Sequence, residues 1–158
     1  MNDRLHIFVD TDAFVALAVE NDANHTKALS LLNALRTRPS VTFFTSNYVF
    51  AESVTVISQR ASHVAALQYI DAMQSLENPF LIERADDDIE DEAIRIFKQQ
   101  TSKNISYVDC TNMAFMAHLQ ADAIFSFDGG YRKNRLTLVS DLLARGTPDD
   151  DVEEEKAA

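Results

Sequence analysis

Short apolar segments alternate with longer amphipathic segments along most of this chain. The short segments are rich in β-branched and aromatic residues, which is typical of buried strands. They lie at positions 7–9, 41–45, 80–82, 123–127 and 136–139. The segments between them repeat their apolar residues every three or four positions, which predicts helices. This alternation predicts an α/β fold with a parallel sheet.

Polar residues indicate where several of these helices begin. Ser46 or Asn47 is a favoured cap for the helix that follows the second strand. The acidic run at 86–92 is predicted to form the start of another helix, because the helix dipole favours negative charge there. Ser106, followed three residues later by Asp109, resembles a capping box.

The length of 158 residues favours one domain, expected at 1–145, followed by an acidic, disordered tail at 146–158. The net charge is −11, and positions 149–158, with six acidic residues and one lysine, contribute −5 of it. This charge argues against a broad basic face for nucleic acid.

Cys110 is the only cysteine, which excludes an internal disulfide and a multi-cysteine metal site. The sequence contains neither a membrane-spanning stretch nor a signal peptide, so a cytoplasmic location is expected.

Two carboxylates follow the first predicted strand. Asp10 closes that strand, and Asp12 comes just before a segment with helical spacing. In an open parallel sheet this change from strand to helix lies at the carboxyl edge, where ligands bind. Helix capping explains one aspartate there. The second carboxylate favours a functional role, because negative charge at this position needs a cation or hydrogen-bond donors.

Three further acids occupy comparable positions in the predicted layout. Asp128 follows the fourth strand, while Glu52 and Asp109 lie in the first turns of two helices. Helical geometry places Val49 and Val56 beside Glu52, an apolar setting in which a carboxylate becomes protonated or binds a cation. A purely structural role in the capping box remains an alternative for Asp109. We expect all of these acids to point into one crevice at the carboxyl edge.

Clustered carboxylates have three main chemical uses. They share protons, flank a glycosidic bond or hold a hard divalent cation. The acids here come from separate elements, and the four histidines show no metal-binding spacing: His6, His25, His63 and His118. An all-oxygen ligand set favours Mg²⁺ or Mn²⁺. Such an ion assists phosphodiester hydrolysis, in which phosphoryl charge must be neutralised.

Four motifs in order along the chain resemble those of the PIN-domain ribonucleases, in particular the VapC-like toxins of bacterial toxin–antitoxin pairs. The motifs lie at 8–14, 45–52, 105–110 and 124–128. The resemblance implies a three-layer α/β/α fold with a sheet of five parallel strands. It also implies Mg²⁺-dependent (or Mn²⁺-dependent) cleavage of an RNA substrate by an endoribonuclease.

The resemblance also implies which residues form the site. The residues expected to bind the metal and carry the catalysis are Asp10, Glu52, Asp109 and Asp128. Two residues are expected to assist them: Asp12 and Ser106. Three cations just beyond the last acid are candidates for contacting substrate phosphates: Arg132, Lys133 and Arg135. An equally open interpretation of these cations is that they are solvated loop charges.

Other classes of protein remain open at this point. A PIN-like binding module would keep the fold without turnover and act through a partner protein, although the complete set of acids argues against it. A phosphoacceptor receiver domain needs a lysine near the end of its last strand, where this chain has Leu138-Val139-Ser140. Haloacid-type phosphotransfer also begins with Asp-x-Asp but needs a downstream lysine and acid pair, for which no convincing candidate is present.

Two kinds of protein partner are compatible with the sequence. If the chain is a toxin, an antitoxin is expected to cover the acidic crevice with a basic side chain, because an arginine fork pairs well with carboxylates. A homodimer also remains open, since its apolar surface cannot be distinguished from core in the sequence.

Overall fold

The computed structural model describes residues 4–146, and its centre is a parallel sheet. The strands are β1 (Leu5–Val9), β2 (Val41–Ser46), β3 (Phe80–Glu83) and β4 (Ala123–Phe125). Their order across the sheet is β3-β2-β1-β4, and all neighbours run parallel. The apolar residues of β1 at 7–9 are fully buried, because this strand lies in the interior of the sheet.

Helices connect the strands. They are α1 (Thr11–Ala18), α2 (His25–Arg36), α3 (Asn47–Arg60), α4 (His63–Gln74), α5 (Asp87–Gln99), α6 (Tyr107–Leu119), α7 (Gly130–Lys133) and α8 (Val139–Arg145). Three begin as predicted. The Ser46 side chain caps α3, Asp86 caps α5 ahead of an acidic first turn, and Ser106 and Asp109 form the capping box of α6.

Helices cover both faces of the sheet. Phe43 and Phe80 are register partners and therefore share one face, on which Phe14 of α1 packs with its ring centroid 5.0 Å from that of Phe80. Phe8 is the register partner of the residue after Phe43, so it points to the opposite face. There it stacks on Phe115 of α6 at 5.9 Å. The contacts place the sheet between two helical layers.

The prediction of five strands is wrong, because residues 4–146 form a sheet of four. The segment predicted as the fifth strand, 136–139, makes only one parallel bridge, between Leu138 and Ile124. The adjacent backbone hydrogen bond runs from Ile124 N to Thr137 O at 2.9 Å. Leu138 is already the N-cap residue of α8, so the chain turns into a helix before a ladder develops.

The fourth strand is also shorter than the predicted 123–127. It ends at Phe125, because Ser126 Oγ and Phe127 N donate to the Asp12 carboxylate, at 3.0 and 2.7 Å, instead of extending the ladder. Asp128 therefore lies in a loop beyond the strand.

The predicted tail lies, apart from Gly146, outside the described residues, and the domain boundary stays a prediction. None of the helices described between residues 4 and 146 is long and apolar enough to cross a membrane.

The stacked pair Phe8–Phe115 predicts a large loss of stability on truncation. Phe115 is 2% exposed, so Phe115→Ala leaves a cavity against the sheet and lowers the free energy of unfolding by about 3–5 kcal/mol. Leu76→Ala is the control, since Leu76 is fully exposed, and it should change stability by less than about 0.5 kcal/mol. Urea unfolding measures both, and a loss below about 1 kcal/mol for Phe115→Ala contradicts the packing described.

Candidate active site

A cavity of about 390 Å³ lies at the carboxyl edge of the sheet. Six carboxylates from six segments line it: Asp10 after β1, Asp12 in α1, Asp22 between α1 and α2, Glu52 in α3, Asp109 in α6 and Asp128 in the loop after β4. The structure therefore brings the four acids of the predicted site together with Asp12. Ser106 reaches this group only through its capping bonds with Asp109.

Asp10 is the most buried acid of the cavity, with 6% of its surface exposed. Its Oδ1 accepts hydrogen bonds from Thr11 N at 2.7 Å and Asn112 Nδ2 at 2.9 Å. Its Oδ2 accepts a hydrogen bond from the hydroxyl of Tyr131 at 2.8 Å. Asp10 is also the N-cap residue of α1, so the capping role and the site role occur in the same side chain.

The phenol of Tyr131 joins Asp10 to Asp109. Its oxygen lies 3.1 Å from Asp109 Oδ1 and accepts a hydrogen bond from Asn112 Nδ2 at 2.9 Å. A hydroxyl carries one proton, so Tyr131 donates to one of the two carboxylates at a time. Asp109 Oδ2 accepts from Ser106 N at 2.8 Å. Asp109 therefore caps α6 and faces the cavity at once.

Asp12 is held by the chain that follows β4. Its Oδ2 accepts the two hydrogen bonds from Ser126 and Phe127. Its Oδ1 is buried and has no hydrogen-bond partner among the described residues. A buried carboxylate oxygen without a partner is unfavourable, and a cation is one group that would satisfy it.

Glu52 and Asp128 are less constrained than the other acids. Glu52 lies in the second turn of α3 rather than the first. It is only half-buried, beside Val56, and makes no hydrogen bond or ion pair with another described residue. Asp128 is exposed and accepts a hydrogen bond from Gly130 N at 2.8 Å. These two side chains have the most freedom to turn toward a ligand.

The buried carboxylates of the cavity hold their protons unusually well. Burial, together with the Asp12 charge, raises the pKa of Asp10 to about 7, against the hydrogen bonds from Tyr131 and Thr11. Burial likewise raises the pKa of Asp12 to about 6, against its bonds to Phe127 and Ser126. Burial and the neighbouring carboxylates also raise the pKa of the Tyr131 phenol. The hydrogen bonds of the cavity thus only partly compensate the burial of Asp10 and Asp12.

The donor atoms of the cavity suit a metal ion, although the conformation described does not gather them into a complete coordination site. Between residues 4 and 146, no three histidine, cysteine, aspartate or glutamate side chains form a ready-made ion cage. The donor atoms are nevertheless carboxylate oxygens, which Mg²⁺ and Mn²⁺ prefer, and Asp12 Oδ1 lacks a partner. Binding of one ion by three of these groups would therefore require side chains to rearrange.

Sequence reasoning missed four side chains of this site: Asp22, Arg60, Asn112 and Tyr131. Arg60, at the end of α3, lines the cavity and pairs with Asp22 at 2.6 Å. A signal for it was present, because Glu52, Val56 and Arg60 follow one another at intervals of four along one helix face. Asn112 and Tyr131 are ordinary polar residues in the sequence, and only their burial beside Asp10 distinguishes them.

The three cations predicted to contact phosphates separate in the structure. Arg132 forms a two-bond pair with Asp141, at 2.7 and 3.0 Å, so its guanidinium is already engaged. Lys133 lines a second groove that adjoins the cavity at Asp128. Arg135 lines neither space. The structure therefore places only Lys133 close to the acids, and does so from the neighbouring groove.

The fold and the cavity define a parallel α/β protein with an acidic site where its strands end. Residues 7–135 match the family described as PIN domain, and the chain therefore belongs to the PIN-domain family.

Two comparisons show which PIN domains it is similar to. The chain is 31% identical over 125 residues to the 23S rRNA-specific endonuclease VapC20 of two Mycobacterium tuberculosis strains, covering 79% of this chain and 91% of VapC20. It also matches the crystal structure of Mycobacterium tuberculosis VapC20, described as a sarcin-ricin loop cleaving toxin. That match has a TM-score of 0.73 and 28% identity, and covers 83% of this chain and 96% of the other. The predicted resemblance to VapC-like PIN domains is confirmed.

The raised pKa values predict how stability depends on pH in the absence of divalent ions. Between about pH 4 and pH 7, folded Asp10 and Asp12 retain protons that the unfolded chain has released, so the free energy of unfolding should fall as pH rises. Asp10→Asn should remove roughly 2–4 kcal/mol of this fall. Urea unfolding in EDTA at several pH values measures it. Asp71→Asn, on the exposed surface of α4, is the control, and equal pH profiles for Asp10→Asn and wild type contradict the assignment.

Proposed function

We propose that this protein is a metal-dependent endoribonuclease that hydrolyses RNA phosphodiester bonds, and that it is the toxin of a toxin–antitoxin pair. The observation that carries the proposal is the gathering of six carboxylates from six segments into one cavity of a PIN-domain chain. The similar VapC20 is named a 23S rRNA-specific endonuclease. A structured ribosomal RNA loop is therefore the first substrate to test.

Mg²⁺ or Mn²⁺ is the proposed cofactor. The residues that would hold it are Asp10, Glu52, Asp109 and Asp128, with Asp12 Oδ1 as a further oxygen. When bound, a divalent ion neutralises phosphoryl charge and lowers the pKa of a water molecule. The unsatisfied oxygen of Asp12 and the raised pKa values of Asp10 and Asp12 support the proposal, since a cation would relieve both.

The side chains around these acids have distinct proposed roles. Asn112 and Tyr131 orient Asp10, and such outer partners commonly determine how well a ligand binds its metal. Arg60 would contact a substrate phosphate. Its side chain is 47% exposed, and it pairs with Asp22 through Nη1 alone. The remaining N–H donors of the guanidinium are therefore available to a phosphate while the pair with Asp22 holds the side chain at the cavity wall.

The proposal extends to partners and location. An antitoxin would insert an arginine into the acidic cavity, where a guanidinium fork can pair with carboxylates. A homodimer remains a further proposal. Because the proposed substrate is ribosomal RNA, we place the protein in the cytoplasm.

Cleavage of a labelled RNA hairpin tests the catalytic proposal. Purified protein should cleave a hairpin with the sarcin–ricin loop sequence in Mg²⁺ or Mn²⁺ and lose that activity in EDTA. Asp10→Asn should reduce the rate roughly 100-fold or more, because metal assistance contributes several kcal/mol to lowering the barrier. Gel electrophoresis of the products measures the rate.

Asp71→Asn is the matched control, since it removes one exposed carboxylate outside the cavity. It should cleave at the wild-type rate. If Asp10→Asn and wild type cleave equally, a contaminant carries the activity. If the wild type binds RNA but cleaves neither the hairpin nor total RNA with either metal, the alternative of a non-catalytic binding module is favoured.

Tyr131→Phe tests whether the phenol positions the acids. Loss of the hydroxyl removes one donor to Asp10 and the contact with Asp109, so Mn²⁺ affinity should fall about 10- to 100-fold. Isothermal titration calorimetry measures the affinity. The control Tyr107→Phe removes a phenol that contacts Tyr48 and Phe97 outside the cavity. Unchanged Mn²⁺ binding by Tyr131→Phe, with binding lost in Asp10→Asn, would refute a positioning role.

A further inference from the structure

We infer that a second groove, beside the acidic cavity, holds one nucleotide of the RNA next to the bond that is cut. This inference rests on the proposed ribonuclease function. We call this space the Lys133 groove. It has a volume of about 310 Å³ and is bounded by the segment between α5 and α6 and by α7, and its principal lining residues are Gln100, Asn104, Ile105, Gly130, Lys133 and Asn134.

The Lys133 groove is continuous with the acidic cavity. Asp128 lines both spaces, so an RNA strand with its scissile phosphate at the acids would enter the groove with a neighbouring nucleotide. The volume is at the lower end of the range for small-ligand pockets. A space of this size suits one nucleotide rather than a folded segment.

The charge of the groove suits a phosphate. Lys133 makes no hydrogen bond or ion pair within residues 4–146, whereas its neighbour Arg132 is bound to Asp141. An ammonium group without a carboxylate partner is a point charge available to a phosphate oxygen. In a protein with a net charge of −11, such a cation next to the acids would offset their repulsion of RNA.

The remaining polar groups suit a base edge. Gln100 Nε2 donates to Asn134 Oδ1 at 3.0 Å, and Asn134 Nδ2 donates to Gly130 O at 3.1 Å. These bonds tie the two walls of the groove together. They leave Gln100 Oε1 and the whole amide of Asn104 without a partner in the described range. Amides of this kind recognise unstacked bases through their donor and acceptor edges.

Gly130 lies against Asp128, the residue that lines both spaces. A Cβ at position 130 would lie 3.0 Å from Ile105 Cδ1 and 3.1 Å from Asp128 Oδ1. No glycine among the described residues has a positive φ, so the need for glycine here is steric rather than conformational. Gly129 differs, because a Cβ there would meet nothing within 4 Å.

Binding of a fluorescein-labelled RNA hairpin with the sarcin–ricin loop sequence tests the inference. In an Asp10→Asn background, which prevents cleavage, Lys133→Met should raise the Kd about tenfold. It should also reduce the slope of log K against log salt by about 0.7, the value of one phosphate contact in single-stranded RNA. Asn104→Ala should raise the Kd without changing this slope. Fluorescence anisotropy measures both quantities.

Lys133→Met and Gly130→Ala each have a matched control. Lys98→Met removes an exposed positive charge on α5 outside the Lys133 groove and should change neither the Kd nor the slope. Gly130→Ala should weaken binding, whereas Gly129→Ala should not. Thermal unfolding checks that every variant is folded, and Mn²⁺ affinity should be unchanged in Lys133→Met.

A shortened RNA identifies the nucleotide. If the groove holds the residue on one side of the cut, removing that nucleotide should weaken binding and should abolish the effect of Lys133→Met, because the two changes delete the same contact. Wild-type affinity in all three groove variants would overturn the inference while leaving metal-dependent cleavage, and hence the proposed function, intact. RNA binding with these dependences but without cleavage by wild type would support the groove and refute the nuclease. Absence of RNA binding would overturn both.

Discussion

The buried carboxylate of Asp10 is the interaction on which the rest of the site depends. It receives Thr11 N from α1, Asn112 from α6 and Tyr131 from α7, so one charged group joins three helices at the end of β1. A charge this deeply buried is tolerated only while its donors are present. The donors therefore both stabilise the fold and orient the acid, and the architecture of the cavity follows from satisfying one carboxylate.

The parallel sheet explains why acids so distant in sequence meet. The carboxyl ends of β1 and β4 lie at the same edge, and α1 and α6 begin beside them. The burial of the acids and their mutual repulsion oppose folding, as the raised pKa values of Asp10 and Asp12 indicate. The buried apolar strand β1, on which Phe8 stacks against Phe115, supplies compensating stability. Active sites commonly retain such locally unfavourable groups because function requires them.

An acidic protein that acts on RNA needs its few accessible cations in defined places. Arg60 lies on the wall of the cavity, and Lys133 lies in the groove beyond Asp128. Arg132 is neutralised by Asp141 and so contributes little field. The net charge of −11 argues against binding through a broad basic surface. Affinity for an RNA strand would then come from individual contacts on either side of the acids, which makes it sensitive to where the strand bends or unstacks.

Local pattern accounts for much of this protein. The apolar strand at 7–9, the acidic start of α5 and the capping box at Ser106 follow from residue types and spacing, because strand burial and helix capping act over a few residues. The four acid-bearing motifs are also local patterns, and their order along the chain identified the family. Helix capping and a role in the site were treated as alternatives for Asp10 and Asp109. They are not alternatives, since each residue caps a helix and also faces the cavity.

Only the tertiary structure decided the number of strands, the roles of the cations and the partners of Asp10. Residues 136–139 have strand composition, yet this segment makes a single bridge and then enters α8 at Val139. Arg132, Lys133 and Arg135 look equivalent in the sequence, but Arg132 pairs with Asp141, Lys133 lines the groove and Arg135 lines neither space. Tyr131 and Asn112 gain their importance from contacts with an aspartate more than 100 positions away. Residue type determines what a side chain can bind, whereas long-range packing determines which groups come within reach.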